Sequence, residues 1–377
     1  MYIGLDGIPL NEPRTGVGHY TLELARALAV CSPSDEFEIA SPLPFLPLMD
    51  QESEEHLPPN LSMVQVEVNA LSKHWWTIGL PRYIKRKSFA LFHGTNYDVP
   101  LWKRCPTVLT IHDLSLLLYP LTHEPGRVRR ARRRLPLMAS AATMIITPTM
   151  SVRGEVCAHL SISPEKVVPV PEAPRDNFRP INAAWSEMTR KRLGVEDEFV
   201  LFVGTIEPRK NLRILVQAFA LVSRATGART QLVIAGKKGW LTDDLFVELK
   251  ASGVAERVLF TGYLPDEDLC ALYSSCMAFV YPSLYEGFGL PPLEAMACGA
   301  PVIASRIPSL VEITGPVARL FAPDNPQELA QHIITLLADE GQRRHLSMLG
   351  RQRAAEFSWK QTALKTLEVY AEAKERG

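Results

Sequence analysis

FVLFVGTIEPRKNLRILVQAFALVSRATGARTQLVIAG, residues 199–236, sets in succession a short apolar run, a glycine, a polar loop, an amphipathic helical stretch and a second apolar run. A strand that is apolar at nearly every position is covered on both faces, which is the situation of a parallel sheet between layers of helices. The alternation continues through RVLFTGYL (257–264), MAFVYPS (277–283) and APVIAS (300–305). The first half repeats it less regularly, in MYIGLDG (1–7), helical YTLELARALAV (20–30), FEIAS (37–41), FALFHGTN (89–96), TVLTIHD (107–113) and ATMIITPT (142–149). The fold class is therefore α/β, with two units built on parallel sheets.

A chain of 377 residues exceeds what one compact core usually holds, in keeping with two domains. Four prolines interrupt the pattern in VVPVPEAPRDNFRPIN (167–182), so the reading places a first domain over 1–170, a linker over 171–182 and a second domain over 183–357. A C-terminal helix over 358–377 opens with Ser358 and Gln361 as a capping box and carries the stripe Trp359, Ala363, Leu367, Tyr370. Residues 41–60, rich in proline and acid, read as a long loop. The 41 basic residues balance 41 acidic ones, which argues against nucleic acid as the main partner. Six scattered cysteines form no CxxC pair, and no window reaches the roughly 18 apolar residues of a membrane span. With no basic, apolar leader at the start, the expectation is a cytoplasmic protein.

In open α/β sheets ligands sit at the carboxyl ends of strands, so polar residues just after each strand are the candidates for chemistry. TGVGHY (15–20) places Gly16 and Gly18 where a helix opens after the first strand, either to admit an anion to backbone N–H groups or as an ordinary turn. Thr21 stands where a third glycine would complete a GxGxxG, which weakens a nicotinamide or flavin assignment. His112-Asp113 follows TVLTI; the histidine can meet a reacting group or be structural, and Asp113 can fix its ring or cap the next turn. GTIEPRKNL (204–212) presents Arg209 and Lys210 before a helix, as a diphosphate would need, or as solvated charge. YEGFGLPPLEAMACG (285–299) leads a Gly287-Phe288-Gly289 turn into a helix that can start at Pro291 or Pro292. Glu286 and Glu294 lie on either side as acceptors for sugar hydroxyls or, in the plainer reading, Glu294 is on a helix surface and the glycines are in an ordinary loop.

Glu286 and Glu294 match the E-x7-E signature of retaining glycosyltransferases, and EGFGLPPLEAMACGAPVIAS resembles glycosyltransferase family 4. The likeness extends in order to GVGHY, the HD at 112–113, ITPTMSVRGEV (146–156) and GTIEPRKNL, and so covers nearly the whole chain. It implies the GT-B fold, two Rossmann-like domains with parallel sheets facing across a cleft. It further implies a hexosyltransferase with His112, Glu286 and Lys210 as catalytic residues. Gly16, Gly18, Arg209, Lys210, Glu286, Gly287, Phe288, Gly289, Leu290 and Glu294 would bind the donor, Glu294 through its ribose. No metal or other cofactor is implied, because cations and a helix N-terminus stabilise the leaving diphosphate. The GVGHY, TIHD and GTIEPRKN pattern resembles bacterial mannosyltransferases of polysaccharide assembly, which makes GDP-mannose the first expectation for the donor and a glycan or lipid-linked molecule the acceptor. Alternatives are a nucleotide-sugar epimerase or phosphorylase on the same scaffold, or a non-catalytic nucleotide-sugar-binding subunit.

Two departures stand out: Thr205 occupies a position where many members carry arginine, shifting work onto Arg209, and LVEITGPVARLF (310–321) lacks the usual GDAA-like stretch. Asp266-Glu267-Asp268 is a literal DxD, which holds a divalent metal in other transferases; after Pro265 it reads instead as helix capping. RVRRARRRL (127–135) carries six arginines beside the stripe Val128, Ala131, Leu135, with Pro136 a candidate helix breaker. It is either a solvated face or a peripheral contact with anionic lipid on the inner membrane face. Trp75-Trp76, within the candidate acceptor loops, can serve as a sugar platform or as packing.

Overall fold

The computed structural model of the chain describes residues 1–11, 16–45, 57–102, 104–227 and 230–377. The contacts of these residues group into two compact units, Met1–Leu114 with Arg129–Glu172 and Ser358–Gly377, and Ser115–Val128 with Ala173–Phe357. Residues 115–128, read from the sequence as part of the first domain, thus group with the second. They are fastened there by Trp240, which donates its indole N–H to the Thr122 carbonyl at 2.8 Å, and by Tyr119, whose ring lies 5.1 Å from that of Tyr285.

Among the described residues the first unit holds a seven-stranded sheet. Its strands are β1 Tyr2–Asp6, β2 Glu36–Ser41, β3 Leu61–Gln65, β4 Leu91–Gly94, β5 Thr107–Thr110, β6 Met144–Thr147 and β7 Val167–Pro169, in the order β3-β2-β1-β4-β5-β6-β7. Each neighbouring pair runs parallel. The second unit holds a six-stranded sheet of β8 Phe199–Val203, β9 Gln231–Ala235, β10 Val258–Gly262, β11 Ala278–Tyr281, β12 Val302–Ser305 and β13 Arg319–Phe321, ordered β10-β9-β8-β11-β12-β13 and also parallel throughout. In β8 all five residues FVLFV are buried, as covering on both faces requires. In each unit the strand order turns round beside the first strand of its series, between β1 and β4 and between β8 and β11. That turning point is where such sheets open a crevice for ligands.

The C-terminal helix, Trp359–Arg376, packs on the first unit rather than the second. Ser358 accepts the Gln361 N–H at its start, and the faces of Trp359, Ala363 and Tyr370 are buried, with Leu367 only partly so. Tyr370 meets His93 Nδ1 at 2.7 Å, and Thr362 donates to the Pro171 carbonyl at 2.8 Å. The helix Pro125–Ala141 runs through Pro136, contrary to a break there. The lost N–H costs one backbone hydrogen bond, while Leu135 and Met138 on either side stay buried and hold the segment helical. Of the loop 41–60, residues 46–56 lie outside the described residues. All six cysteines are free thiols, and no described helix is long and apolar enough to cross a membrane.

Candidate active site

In the second unit β8 ends at Val203 and its loop closes into a short turn, Pro208–Lys210, before the helix Leu212–Thr226. Asn211 takes the left-handed conformation (φ 55°) at that junction and ties its amide to the Pro323 carbonyl at 2.8 Å. The loop after β11 is pinned against this turn, since Leu284 N–H donates to the Arg209 carbonyl at 2.9 Å. The two loops that flank the turning point of the sheet are thereby one rigid construction.

Onto it the structure brings Arg209, Lys210 and Glu286 together. Lys210 Nζ donates to Glu286 Oε1 at 2.6 Å and to the Tyr281 hydroxyl at 2.7 Å. Arg209 donates to Glu286 Oε2 at 2.9 Å, to the Tyr285 carbonyl at 2.9 Å and to Glu207 at 2.6 Å. All of these side chains are largely or fully buried. Burial alone would raise the Glu286 carboxyl, but the charges of Arg209 and Lys210, with hydrogen bonds from Lys210 and Ser283, outweigh it and bring it down to about 2. Two cations meeting the carboxylates of Glu286 and Glu207 at the mouth of the sheet form an arrangement that an incoming diphosphate can enter by sharing the cations.

Gly289 sits at φ 121°, and a side-chain carbon there would stand 2.7 Å from Leu310. Only glycine fits, and it turns the chain into the helix Leu290–Ala297. The helix thus starts at Leu290, one residue before the prolines, which occupy its first turn. Gly287 is buried, Leu290 is half-buried, and the Phe288 ring packs edge-on against Phe357 at 6.1 Å, so that side chain points into the core. Ser309 donates to the Glu286 carbonyl at 2.6 Å and fixes the turn from the far side.

Glu294 is held apart from this cluster. Its Oε1 accepts twice from Arg175, at 3.0 and 3.2 Å, and Arg175 also pairs with Asp266. Asp266 accepts from Asn177 at 3.0 Å as well, and Asp268 pairs with Arg192. These acids lie in the first turn of the helix Asp266–Ser275 but do not cap it: Pro265 is the cap, and arginines take the carboxylates. Among the described residues no group of three or more histidine, cysteine and acidic side chains could hold a metal ion.

In the first unit His112 follows β5 and is 8% exposed. Its Nε2 lies 2.8 Å from the Thr95 carbonyl and its Nδ1 lies 3.1 Å from Glu172 Oε1. The ring is therefore oriented by Glu172, not by Asp113; the Asp113 N–H donates to the Tyr97 hydroxyl at 3.1 Å. Tyr97 is held at φ 61°, a strained setting for a bulky residue and one that recurs at functional sites. Gly16 opens the helix Gly16–Cys31 in open space and Gly18 is buried two residues on, while Thr15 lies outside the described residues. Trp75 is buried against Tyr83, 6.2 Å away, and Trp76 is half-buried with Arg134 over its ring at 6.0 Å.

Glu172 and Arg175 were passed over in the sequence because they fall in the stretch read as a linker. Charged residues just beyond a strand, with prolines fixing the backbone around them, were the available signal. Glu207 and Tyr281, which bind Arg209 and Lys210, carry no distinguishing pattern in the sequence.

Residues 14–173 match the family Glycosyltransferase Family 4, and residues 185–353 match Glycosyl transferases group 1. The O-antigen chain mannosyltransferase B of Escherichia coli is 32% identical over 375 residues, covering 96% of this chain and 97% of its own. Sucrose-phosphate synthase from Thermosynechococcus elongatus superposes with a TM-score of 0.78 at 23% identity, over 98% of each chain. Anabaena Alr3699/HepE in complex with UDP-glucose superposes with a TM-score of 0.76 at 20% identity, over 97% of this chain and 99% of that one. The protein belongs to glycosyltransferase family 4. It has the GT-B fold and is a hexosyltransferase; the epimerase, phosphorylase and silent-subunit readings are not favoured.

Proposed function

We propose that this enzyme transfers mannose from GDP-mannose to a glycan or lipid-linked acceptor with retention at the anomeric carbon and without a metal. The observation that carries the reading is the buried set of Arg209, Lys210 and Glu286 where the second sheet turns round. The diphosphate shares Arg209 and Lys210 with Glu286, and the released carboxylate oxygens accept hydrogen bonds from the sugar hydroxyls. As the bond from C1 to the β-phosphate oxygen breaks, the acceptor oxygen bonds C1 on the same face. The acceptor proton passes to the departing phosphate. Lys210 and Arg209, fixed before the reaction, carry the charge that develops on that phosphate, the role a divalent ion fills elsewhere. His112 faces the donor sugar, Glu294 binds the ribose, and the glycine-opened N-termini at Gly16, Gly18 and Gly287–Leu290 approach the donor.

Mannose and the polysaccharide acceptor are supported by the identity to the E. coli mannosyltransferase, and a nucleotide-sugar donor by the UDP-glucose complex of the Anabaena structure. Arg127, Arg129, Arg130, Arg132 and Arg133 are exposed along one helix and support peripheral contact with anionic lipid at the cytoplasmic membrane face. Co-sedimentation with phosphatidylglycerol vesicles at physiological salt tests that contact; protein left in the supernatant sinks it. The donor is tested by assaying GDP-, UDP-, ADP- and dTDP-sugars for thermal stabilisation and slow hydrolysis, with and without EDTA. The expected result is EDTA-insensitive release of GDP from GDP-mannose. Preference for another nucleotide, or loss of turnover in EDTA, contradicts the proposal.

A further inference from the structure

We propose that Glu172 is a positioning residue that, with the Thr95 carbonyl, holds His112 as an imidazolium, so that a fixed cation and not a proton-accepting ring stands beyond β5. Hydrogen-bond capacity sets where the protons on His112 lie. A backbone carbonyl can only accept, so the 2.8 Å contact from Nε2 to Thr95 requires a proton on Nε2. The second nitrogen, Nδ1, faces Glu172 Oε1 at 3.1 Å. One proton lies on that line, on the imidazole or on the carboxyl. An ordinary histidine binds a proton about two units more tightly than an ordinary glutamate. Burial by itself disfavours a charged ring, and the carboxylate 3.1 Å away, enclosed with it at 5% exposure against 8% for His112, is what stabilises the charge.

The surroundings agree. Burial pulls the His112 ring down, yet the hydrogen bond and charge of Glu172, then the Thr95 carbonyl and Asp113, carry it above the usual histidine value. From the helix Gly16–Cys31, Tyr20 stands edge-on to the ring at 4.7 Å, and from the loop after β4, Tyr97 does so at 6.0 Å. Neither brings a competing cation. On β4, His93 is pushed down to about 3 by burial and by the His112 charge, so it stays neutral. Its ring nitrogens are taken by Tyr370 and Thr110.

The consequence for catalysis rests on the reading that His112 faces the donor sugar. A ring already protonated at neutral pH cannot serve as general base there; it adds positive charge beside the separating diphosphate. Activity should therefore fall as pH rises through the His112 value, and Glu172→Gln should move that limb to lower pH by about one unit or more. Glu172→Asp should restore part of the shift.

The test is a side-chain 15N NMR titration of the whole protein, with His112 assigned by His112→Gln, alongside pH profiles of transfer for the wild type and both Glu172 variants. Doubly protonated His112 at pH 7, with midpoint and activity limb falling together in Glu172→Gln, supports the proposal. A singly protonated wild-type ring at pH 7 overturns it, and needs no variant to fold. A doubly protonated ring whose midpoint drops in Glu172→Gln while the activity limb stays put upholds the Glu172 role and refutes instead the placement of His112 at the donor sugar.

Discussion

Glu286 takes two cations inside the protein, and that arrangement has energetic consequences that differ for each partner. Replacing Lys210 by methionine leaves the carboxylate with Arg209 alone, and breaking a buried pair this way costs on the order of 3–5 kcal/mol. Replacing Glu286 by glutamine leaves Lys210 without its carboxylate, while Arg209 keeps Glu207, and costs a similar amount. The double variant should cost clearly less than the two added, because the partners are in direct contact at 2.6 Å. A urea-denaturation cycle over the four proteins measures this, and additivity would show that the pair does not couple.

The same carboxylate makes a prediction for acid. Its folded value, about 2, lies below the ordinary glutamate value, so its contribution is complete above the ordinary value and is lost as pH falls toward 2. Between about pH 4.5 and 2 the wild type should lose stability more steeply than Glu286→Gln. Equal slopes in denaturant titrations over that window would contradict the assigned ion pairs. At this scale Arg209, Lys210 and Glu286 were legible as separate candidates, because each lies in a polar loop that follows a strand; their pairing was not, since 76 residues separate Lys210 from Glu286. The partner of His112 was not, since Glu172 stands 60 residues further along the chain and only the folded β5-β6-β7 series brings it close.

Among elements, the turn into Leu290–Ala297 is the most constrained. Gly289→Ala must either leave φ 121° or push Leu310 aside, a strain of about 1–3 kcal/mol. We expect a stability loss of that size in denaturant and a larger fractional loss of activity, because Glu286 rides on the same turn. Wild-type activity in a stably folded Gly289→Ala would remove the turn from the account. The alternation of strands and helices was readable along most of the chain because apolar runs on doubly covered strands leave little ambiguity. Helix limits were less so: Pro136 reads locally as a stop, but burial of Leu135 and Met138 overrides it. The acids at 266–268 read as caps that complement the helix dipole; they do lie in its first turn, but Asp266 and Asp268 are taken by Arg175 and Arg192.

Over the whole molecule, the path of the chain was the least legible feature. Two doubly wound sheets follow from periodicity, but the return of residues 358–377 to the first unit and the assignment of 115–128 to the second depend on packing between distant segments. The return is held in part by Tyr370, buried and bonded to His93, so Tyr370→Phe should cost about 1 kcal/mol of unfolding free energy. No loss in a urea transition would show that this contact does not hold the helix.

In the proposed function Lys210, with Arg209 and Glu286, receives the donor diphosphate. Calorimetric titration of GDP into the wild type and into folded Lys210→Met tests it most directly. Binding should weaken by about tenfold or more in the variant, in keeping with the loss of a charge-assisted hydrogen bond of about 1.5–3 kcal/mol. Equal affinity in the two proteins would place the diphosphate elsewhere and contradict the site.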